Sequence, residues 1–358
     1  MQYKYLSYNI LLLVVWSCRA GHMHAPEERL FKDVLGREVW VPDTIQSVIP
    51  LRESTMRLIS YVKASDKVVG IEDVEIRGVA FTHIFAHPEL KKCPIIGPLY
   101  GGDPELILAQ KPDVIITSNI SATEANALQT RLDIPVIVIQ YGNLSNLRSN
   151  FFSGLQMLGD LLHRQQQADT LIRFIEQEIT NLQKRTQCQL RKEAYLGGIS
   201  YQGRHNIVST DPHYAPFVMN SVENTARQID SSLIPVLANT TIDLETLIAW
   251  NPETLFIDQG GFMLVKEDFQ RFPALTFLLN AYKQHKIYIL WPYYMYHSNF
   301  EVMLINAWSV GKTMYPKKFQ DIDLREKIDT ILKEFVGKPV TDSLIRQWGW
   351  FRNITDEL

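Results

Sequence analysis

The pattern of residues 102–116 returns in residues 242–257. Asp103-Pro104-Glu105-Leu106-Ile107 in the first copy answers Asp243-Leu244-Glu245-Thr246-Leu247 in the second. Lys111-Pro112-Asp113-Val114 likewise answers Asn251-Pro252-Glu253-Thr254. Each copy reads as a capping acid, an apolar run, a proline turn and a second apolar run rich in β-branched residues. That order predicts a short helix followed by a buried strand. Between the copies lies a long stretch with a helical period. Two similar α/β halves joined by one long helix predict a cleft between lobes, where ligands sit.

At 358 residues the chain is long enough for two domains of ordinary size. Apolar residues make up 46% and charged residues 21%, the balance of a globular protein. The net charge of -3, with both signs interspersed, carries no basic footprint for nucleic acid. No apolar run approaches the ~20 residues that a membrane-spanning helix needs.

The first twenty residues differ from the rest. Lys4 precedes a short apolar run over residues 10–16, and Ser17, Cys18, Arg19 and Ala20 follow. Residues 1–20 therefore read as a secretory signal peptide. Two processing routes stand open: cleavage after Ala20, or cleavage before Cys18 with lipidation of that cysteine, since Val15-Trp16-Ser17-Cys18 roughly resembles a lipobox. Either route places the mature protein in the periplasm or cell envelope. Cys93 and Cys188 remain, far apart and without metal-ligand spacing, and are read as isolated thiols.

The N-terminal lobe is expected over residues 28–148. A hairpin is predicted around Leu35-Gly36, with strands at 47–49, 67–71, 114–117 and 136–139. Alternation of strands and helices predicts a mainly parallel sheet flanked by helices. The loops after those strands, at residues 50–54, 99–103, 118–122 and 140–143, then face the ligand. Apolar residues from Phe151 to Leu182 keep to helical steps, apart from a gap at residues 165–167. One interlobe helix over 149–186 would be about 55 Å long. The C-terminal lobe is expected over 192–358, with strands at 194–199, 254–258 and 286–290.

In this order and spacing the motifs resemble those of the periplasmic substrate-binding proteins of ABC importers, in the class whose lobes share a single long helix. The marks are Asp33-Val34-Leu35-Gly36-Arg37, Gly101-Gly102-Asp103-Pro104-Glu105 and Asp243-Leu244-Glu245, with the proline turns after the latter two. A C-terminal stretch containing Asn299-Phe300-Glu301, Gly311-Lys312, Tyr315-Pro316 and Phe335-Val336-Gly337-Lys338-Pro339 looks like a subfamily for metals or iron complexes. The resemblance implies a receptor without enzymatic activity or cofactor, delivering ferric siderophores, haem, cobalamin, metal ions or oxyanions to a permease. It also implies that Glu105 and Glu245, at matching points of the two copies, dock on permease arginines. As first-turn acids both also suit the helix macrodipole.

The strand-end loops supply the candidate ligand residues. After the strand at 286–290 come Tyr293, Tyr294, Tyr296 and His297, of which two are expected to face ligand. Phenolate and imidazole suit ferric iron, and aromatic faces suit a chelate. Arg52 offers a guanidinium to an anion, unless Glu53 satisfies it. Tyr100 precedes a flexible Gly-Gly turn, and Ser118 and Asn119 supply a hydroxyl and an amide. Tyr201, Arg204, Ser209 and Thr210 are their counterparts in the second lobe. An iron chelate, siderophore-like or haem-like, is the leading expectation.

Molybdate or tungstate is the alternative, through Arg52, Arg204, Ser209, Thr210 and His297. Bare metal has less support, because the histidines are scattered. A chelatase-like enzyme on the same scaffold is disfavoured: no nucleophile elbow, phosphate loop or dinucleotide fingerprint is present. A monomer needs no extra assumption.

Overall fold

The computed structural model describes residues 27–77, 81–199, 205–229, 240–294 and 298–358. The chain opens with the expected hairpin, β1 (Glu28–Lys32) antiparallel to β2 (Glu38–Pro42). Its turn is built by Asp33, whose carboxylate accepts from the Leu35 and Arg37 amides and pairs with the Arg37 guanidinium at 3.0 Å. Gly36 completes the turn at φ +79°, a conformation that costs glycine least.

The N-terminal sheet holds β3 (Val48–Leu51), β4 (Val114–Ser118) and β5 (Val136–Ile139), parallel and in that order. Every residue of the three strands is buried, as a parallel sheet covered on both faces requires. Helices α1 (Thr55–Tyr61), α2 (Thr82–Ala86), α3 (Pro104–Gln110) and α4 (Ala122–Leu132) lie between these strands in the chain. The strand expected at 67–71 does not form. Val68 and Ile71 make only single bridges, to Val48 and Ile95. Gly70 sits so close to Ile96 that a Cβ would lie 2.5 Å from its Cγ2, and the segment meets the β3 edge at Val48 alone.

Residues 149–186 form two helices, α5 (Arg148–Leu161) and α6 (Gln165–Thr186), in place of one. The break falls just before the gap in apolar period at 165–167. His163 turns left-handed at φ +54°, and Gly159 lets α5 press on Ala168, where a Cβ would approach to 3.0 Å. Arg29 donates to the Asp160 and Leu161 carbonyls and so caps the end of α5. The interlobe helix is therefore α6 alone, 22 residues and about 33 Å long.

The C-terminal lobe contains β6 (Glu193–Gly197), β7 (Ser209–Thr210), α7 (Ala215–Met219), β8 (Glu223–Asn224), β9 (Thr240–Thr241) and α8 (Leu244–Trp250). It continues with β10 (Leu255–Asp258), α9 (Phe262–Arg271), α10 (Leu275–Leu278), α11 (Asn280–Lys283) and β11 (Ile287–Leu290). The main sheet runs β11-β10-β6-β8, with every pairing parallel, and β7 pairs antiparallel with β9. The last helices are α12 (Phe300–Met314), α13 (Leu324–Val336) and α14 (Thr341–Trp348).

The repeated phrase folds the same way twice. Asp103 caps α3 by accepting from the Glu105 and Leu106 amides, and Asp243 caps α8 by accepting from the Thr246 amide. Both helices are seven residues long, and each ends on a left-handed residue before its proline: Lys111 at φ 49° and Asn251 at φ 45°. A buried strand follows in each case.

One apolar core runs through both lobes, from Val48 and Phe151 to Phe256 and Trp291. The end of α13 is tied to the N-terminal lobe: Lys63 donates to the Lys333 and Glu334 carbonyls, and Lys338 to the Ala86 carbonyl. An ammonium at a helix C-terminus opposes the macrodipole and occupies orphan carbonyls.

Candidate functional site

The carboxyl ends of β3 and β4 converge on one network. Just after β3, Arg52 takes φ +66° and Ser54 φ +57°; just after β4, Asn119 takes φ +50°; Tyr100 takes φ +77°. Left-handed backbone at non-glycine residues is uncommon and persists only where neighbours enforce it. Here the enforcing group is Glu72. Its carboxylate accepts from the Arg52 amide at 2.8 Å and the Gly101 amide at 3.2 Å, joining two of the expected ligand loops. Burial pushes Glu72 up to about 7, against the backbone amides that favour its ionised form.

Arg52 is half-buried, and its guanidinium spends one N–H on the Asn119 carbonyl at 3.1 Å. It makes no ion pair among the described residues. Glu53 turns inward instead and accepts from the Asn119 side chain at 3.4 Å. Arg52, Tyr100 and Asn119, all expected from sequence, are thus brought together. Ser118 is a correction: its hydroxyl is buried and donates to the Glu53 carbonyl at 2.6 Å, holding the turn instead of facing a ligand. The loops after β4 and β5 line a cavity of about 510 Å³, with Asn119, Gln140, Tyr141 and Asn150 among its walls.

In the second lobe the expected set is largely turned inward. Ser209 and Thr210 are buried in β7, and the Ser209 hydroxyl donates to the Ile199 carbonyl at 3.1 Å. Tyr293 is buried too, and its hydroxyl donates to the Asp211 carboxylate at 2.7 Å. Burial, followed by the Asp211 charge, holds that phenol well above its ordinary range, so it supplies no phenolate. Tyr294 stays half-buried against Tyr293. Tyr201, Arg204, Tyr296, His297 and Cys18 lie outside the described residues. Glu105 and Glu245 are exposed on the first turns of α3 and α8.

Buried acids are what the sequence concealed. Asp258, at the end of β10, accepts from the Gly260 amide at 2.8 Å, and burial pushes it up to about 8. Asp211 is raised by the same cause. A sequence signal did exist: Asp258 precedes Gly260-Gly261 directly after the apolar run Leu255-Phe256-Ile257. A Cβ on Gly261 would meet the Gly198 and His205 carbonyls at 2.1 and 2.3 Å, so two strand-end loops touch backbone to backbone there. No group of three or more His, Cys, Asp or Glu suited to a metal occurs among the described residues. Nor is any described helix long and apolar enough to cross a membrane.

Two lobes, a bridging helix and a polar network at the strand ends describe a receptor architecture, and residues 78–294 match the family model for periplasmic binding proteins. The chain belongs to the periplasmic binding protein family. It is accordingly a solute receptor of the ABC-importer type and not an enzyme. The molybdate-binding protein MolA of Haemophilus influenzae is 22% identical over 90% of this chain and 95% of its own length. The structure of MolA bound to molybdate aligns with a TM-score of 0.68 at 20% identity, covering 87% of this chain and 98% of that one. A periplasmic solute-binding protein from Veillonella parvula aligns at 0.69 and 18% identity, covering 90% and 97%. The heme-binding protein HutB of Vibrio cholerae aligns at 0.56 and 16% identity, covering 76% and 99%. At these identities the shared property is the fold.

Proposed function

We propose that this periplasmic binding protein is the receptor for a compact tetrahedral oxyanion of the molybdate or tungstate class. Arg52 carries the reading. Its guanidinium stands at the carboxyl end of β3 on an enforced backbone, anchored by one carbonyl and paired with no carboxylate among the described residues. Planar guanidinium groups are suited to two-point recognition of oxyanions. Glu72, which holds the Arg52 amide, repels an anion less than a full charge would, because burial keeps it partly protonated at neutral pH. Of the tyrosines expected to face a flat chelate, Tyr293 is buried. The relative MolA, named for molybdate, points the same way.

A larger iron chelate is the second reading: Asn119 also borders the 510 Å³ cavity, whose walls include Tyr141 but not Arg52. Calorimetric titration with molybdate, tungstate, sulfate, a ferric catecholate and haem separates the two. Saturable binding of molybdate is expected, and Arg52→Ala should weaken it about 10- to 150-fold, the loss of one or two charge-assisted hydrogen bonds. Tight binding of haem or the ferric chelate with no response to either metal oxyanion would overturn the oxyanion reading.

The matched placement of Glu105 and Glu245 supports their role as docking acids on the permease. Replacing both by glutamine should abolish uptake in cells while leaving ligand affinity unchanged, because neither lies in the Arg52 network. A loss of affinity in that variant would count against docking.

A further inference from the structure

The Asn299-Phe300-Glu301 motif takes no part in the reading above, yet it crosses from one lobe to the other. Asn299 precedes α12 in the N-cap position, but its side chain caps nothing. Its Oδ1 instead accepts from Arg57 Nε of α1 at 2.9 Å. Its backbone amide donates to the Tyr293 carbonyl at 2.7 Å, and its Nδ2 reaches the same carbonyl at 3.3 Å. Phe300 stacks on Phe151 of α5 with ring centres 4.0 Å apart, and meets Tyr61 of α1 edge-on. Glu301, fully buried, accepts from the hydroxyls of Tyr61 and Thr82. Each side-chain partner beyond Tyr293 belongs to the N-terminal lobe.

Around Arg57 the setting is equally specific. The guanidinium lies 4.5 Å from the centre of the Phe81 ring. Glu75 is near enough to feel its charge, and is itself 2.7 Å from His83 Nε2. Polar groups buried in a seam that is otherwise apolar add little net stability compared with well-packed hydrophobic residues. What they do supply is direction, because a hydrogen-bonded network tolerates one relative placement of its partners.

We propose that Arg57 and Asn299 form a positioning bridge that sets the register between the two faces of the ligand site. On one side Arg57 sits in the first turn of α1, directly after the Arg52–Ser54 turn. On the other, Asn299 grips the carbonyl of Tyr293, next to Tyr294 on the strand-end loop of β11. Ligand therefore meets two faces already aligned, instead of drawing the lobes together. The inference takes the ligand of Arg52 to lie between the lobes, as the repeated halves lead one to expect, and does not need that ligand to be molybdate.

The test measures interlobe distance in the full chain without ligand. Spin labels are placed at Ala127→Cys on α4 and Gln270→Cys on α9, in a background where Cys18, Cys93 and Cys188 are serine. Pulsed dipolar spectroscopy should give one narrow distance distribution for the otherwise unaltered chain, unmoved by added molybdate. Asn299→Ala and Arg57→Met should broaden it at temperatures well below their unfolding midpoints. A bridge that only stabilised the fold would lower the midpoint and leave the distribution narrow.

Asn299→Asp separates the two arms of the bridge. It keeps an acceptor for Arg57 but loses the Nδ2 donor to Tyr293. Its distance distribution should stay narrow while molybdate dissociates about tenfold faster or more, equivalent to a single hydrogen bond. Should Asn299→Ala fail to fold, Asn299→Ser serves in its place, retaining the small polar volume without the reach to Arg57. Narrow, superimposable distributions in the broken-bridge variants overturn the proposal, as does ligand-induced narrowing in the unbroken chain. Absence of molybdate binding in the unbroken chain would sink the ligand assignment alone, since the ligand-free distances still decide the bridge.

Discussion

Arg57→Met is expected to lower folding stability by about 3–5 kcal/mol, the usual cost of stranding a buried charge. Arg57 is only 2% exposed and cannot exchange its partners for water. Glu75 shows what the guanidinium does. Burial pushes that carboxyl up, yet His83 and Arg57 together hold it below its ordinary range, so the acid is kept ionised inside the protein. Methionine fills much of the volume but leaves the carboxylate with His83 alone. Urea unfolding at pH 7 gives the cost directly, with the slope against denaturant checking that the denatured state is unchanged. The double variant Arg57→Met, Glu75→Gln should recover a large part of the loss, because it removes both charges of the pair. A single-variant cost under about 1 kcal/mol, or a double variant no better than the single, would show that the seam is held by its apolar contacts alone.

The outcome also bears on what can be seen in a sequence. The repeated phrase disclosed both lobes because capping acids, proline turns and β-branched runs act locally, and α3 and α8 obey the same local rules. Strands over residues 114–117, 136–139 and 286–290 were legible for the same reason, since a strand buried on both faces is a continuous apolar run. The break between α5 and α6 was half-legible. The apolar period lapses at 165–167, but a lapse does not reveal that Gly159 packs on Ala168 across a turn. Residues 67–71 carried strand-like composition, and packing of Gly70 against Ile96 overrode it.

The site divides along the same line. Arg52 and Asn119 could be placed at strand ends because a residue's position after a strand is a sequence property. Whether a side chain then turns in or out depends on neighbours far away in the chain. Tyr293 turns in because Asp211, 82 residues earlier, accepts its hydroxyl. Ser118 turns in because the Glu53 carbonyl, 65 residues earlier, accepts its own. Only the tertiary structure shows that Glu72 joins the Arg52 and Gly101 loops and that Glu75 lies beside His83 and Arg57. Asn299-Phe300-Glu301 could be picked out as a motif, but its hydrogen-bond partners in the N-terminal lobe are 219 to 242 residues distant and its role was not legible.

Stability is expected to fall as pH rises from about 4 to about 8. Glu72 and Asp258 mark the window, and Asp211 and Asp268, also raised by burial, act in the same direction. Glu72 is raised from 4.5 to about 7 and Asp258 from 3.8 to about 8, both by burial. For a raised acid the folded state holds its proton after the unfolded chain has released it. Stability is thus undiminished below the unfolded value, declines through the interval, and levels off above the folded value. For Glu72 the full decline is on the order of 3 kcal/mol. Glu75, shifted the other way, acts below its ordinary value of 4.5 and leaves this window untouched. Lys63, lowered from 10.5 to about 8 by burial, is a depressed base: its contribution makes stability rise again above pH 8. Urea midpoints taken at unit intervals from pH 4 to 10 should therefore pass through a minimum near pH 8. Glu72→Gln should remove the part of the decline that ends near pH 7, and Asp258→Asn the part that continues to pH 8. A flat profile in the unaltered chain would mean that water reaches both carboxyls and that neither is held neutral. An ionised Glu72 would then oppose an anion beside Arg52, whose amide it holds.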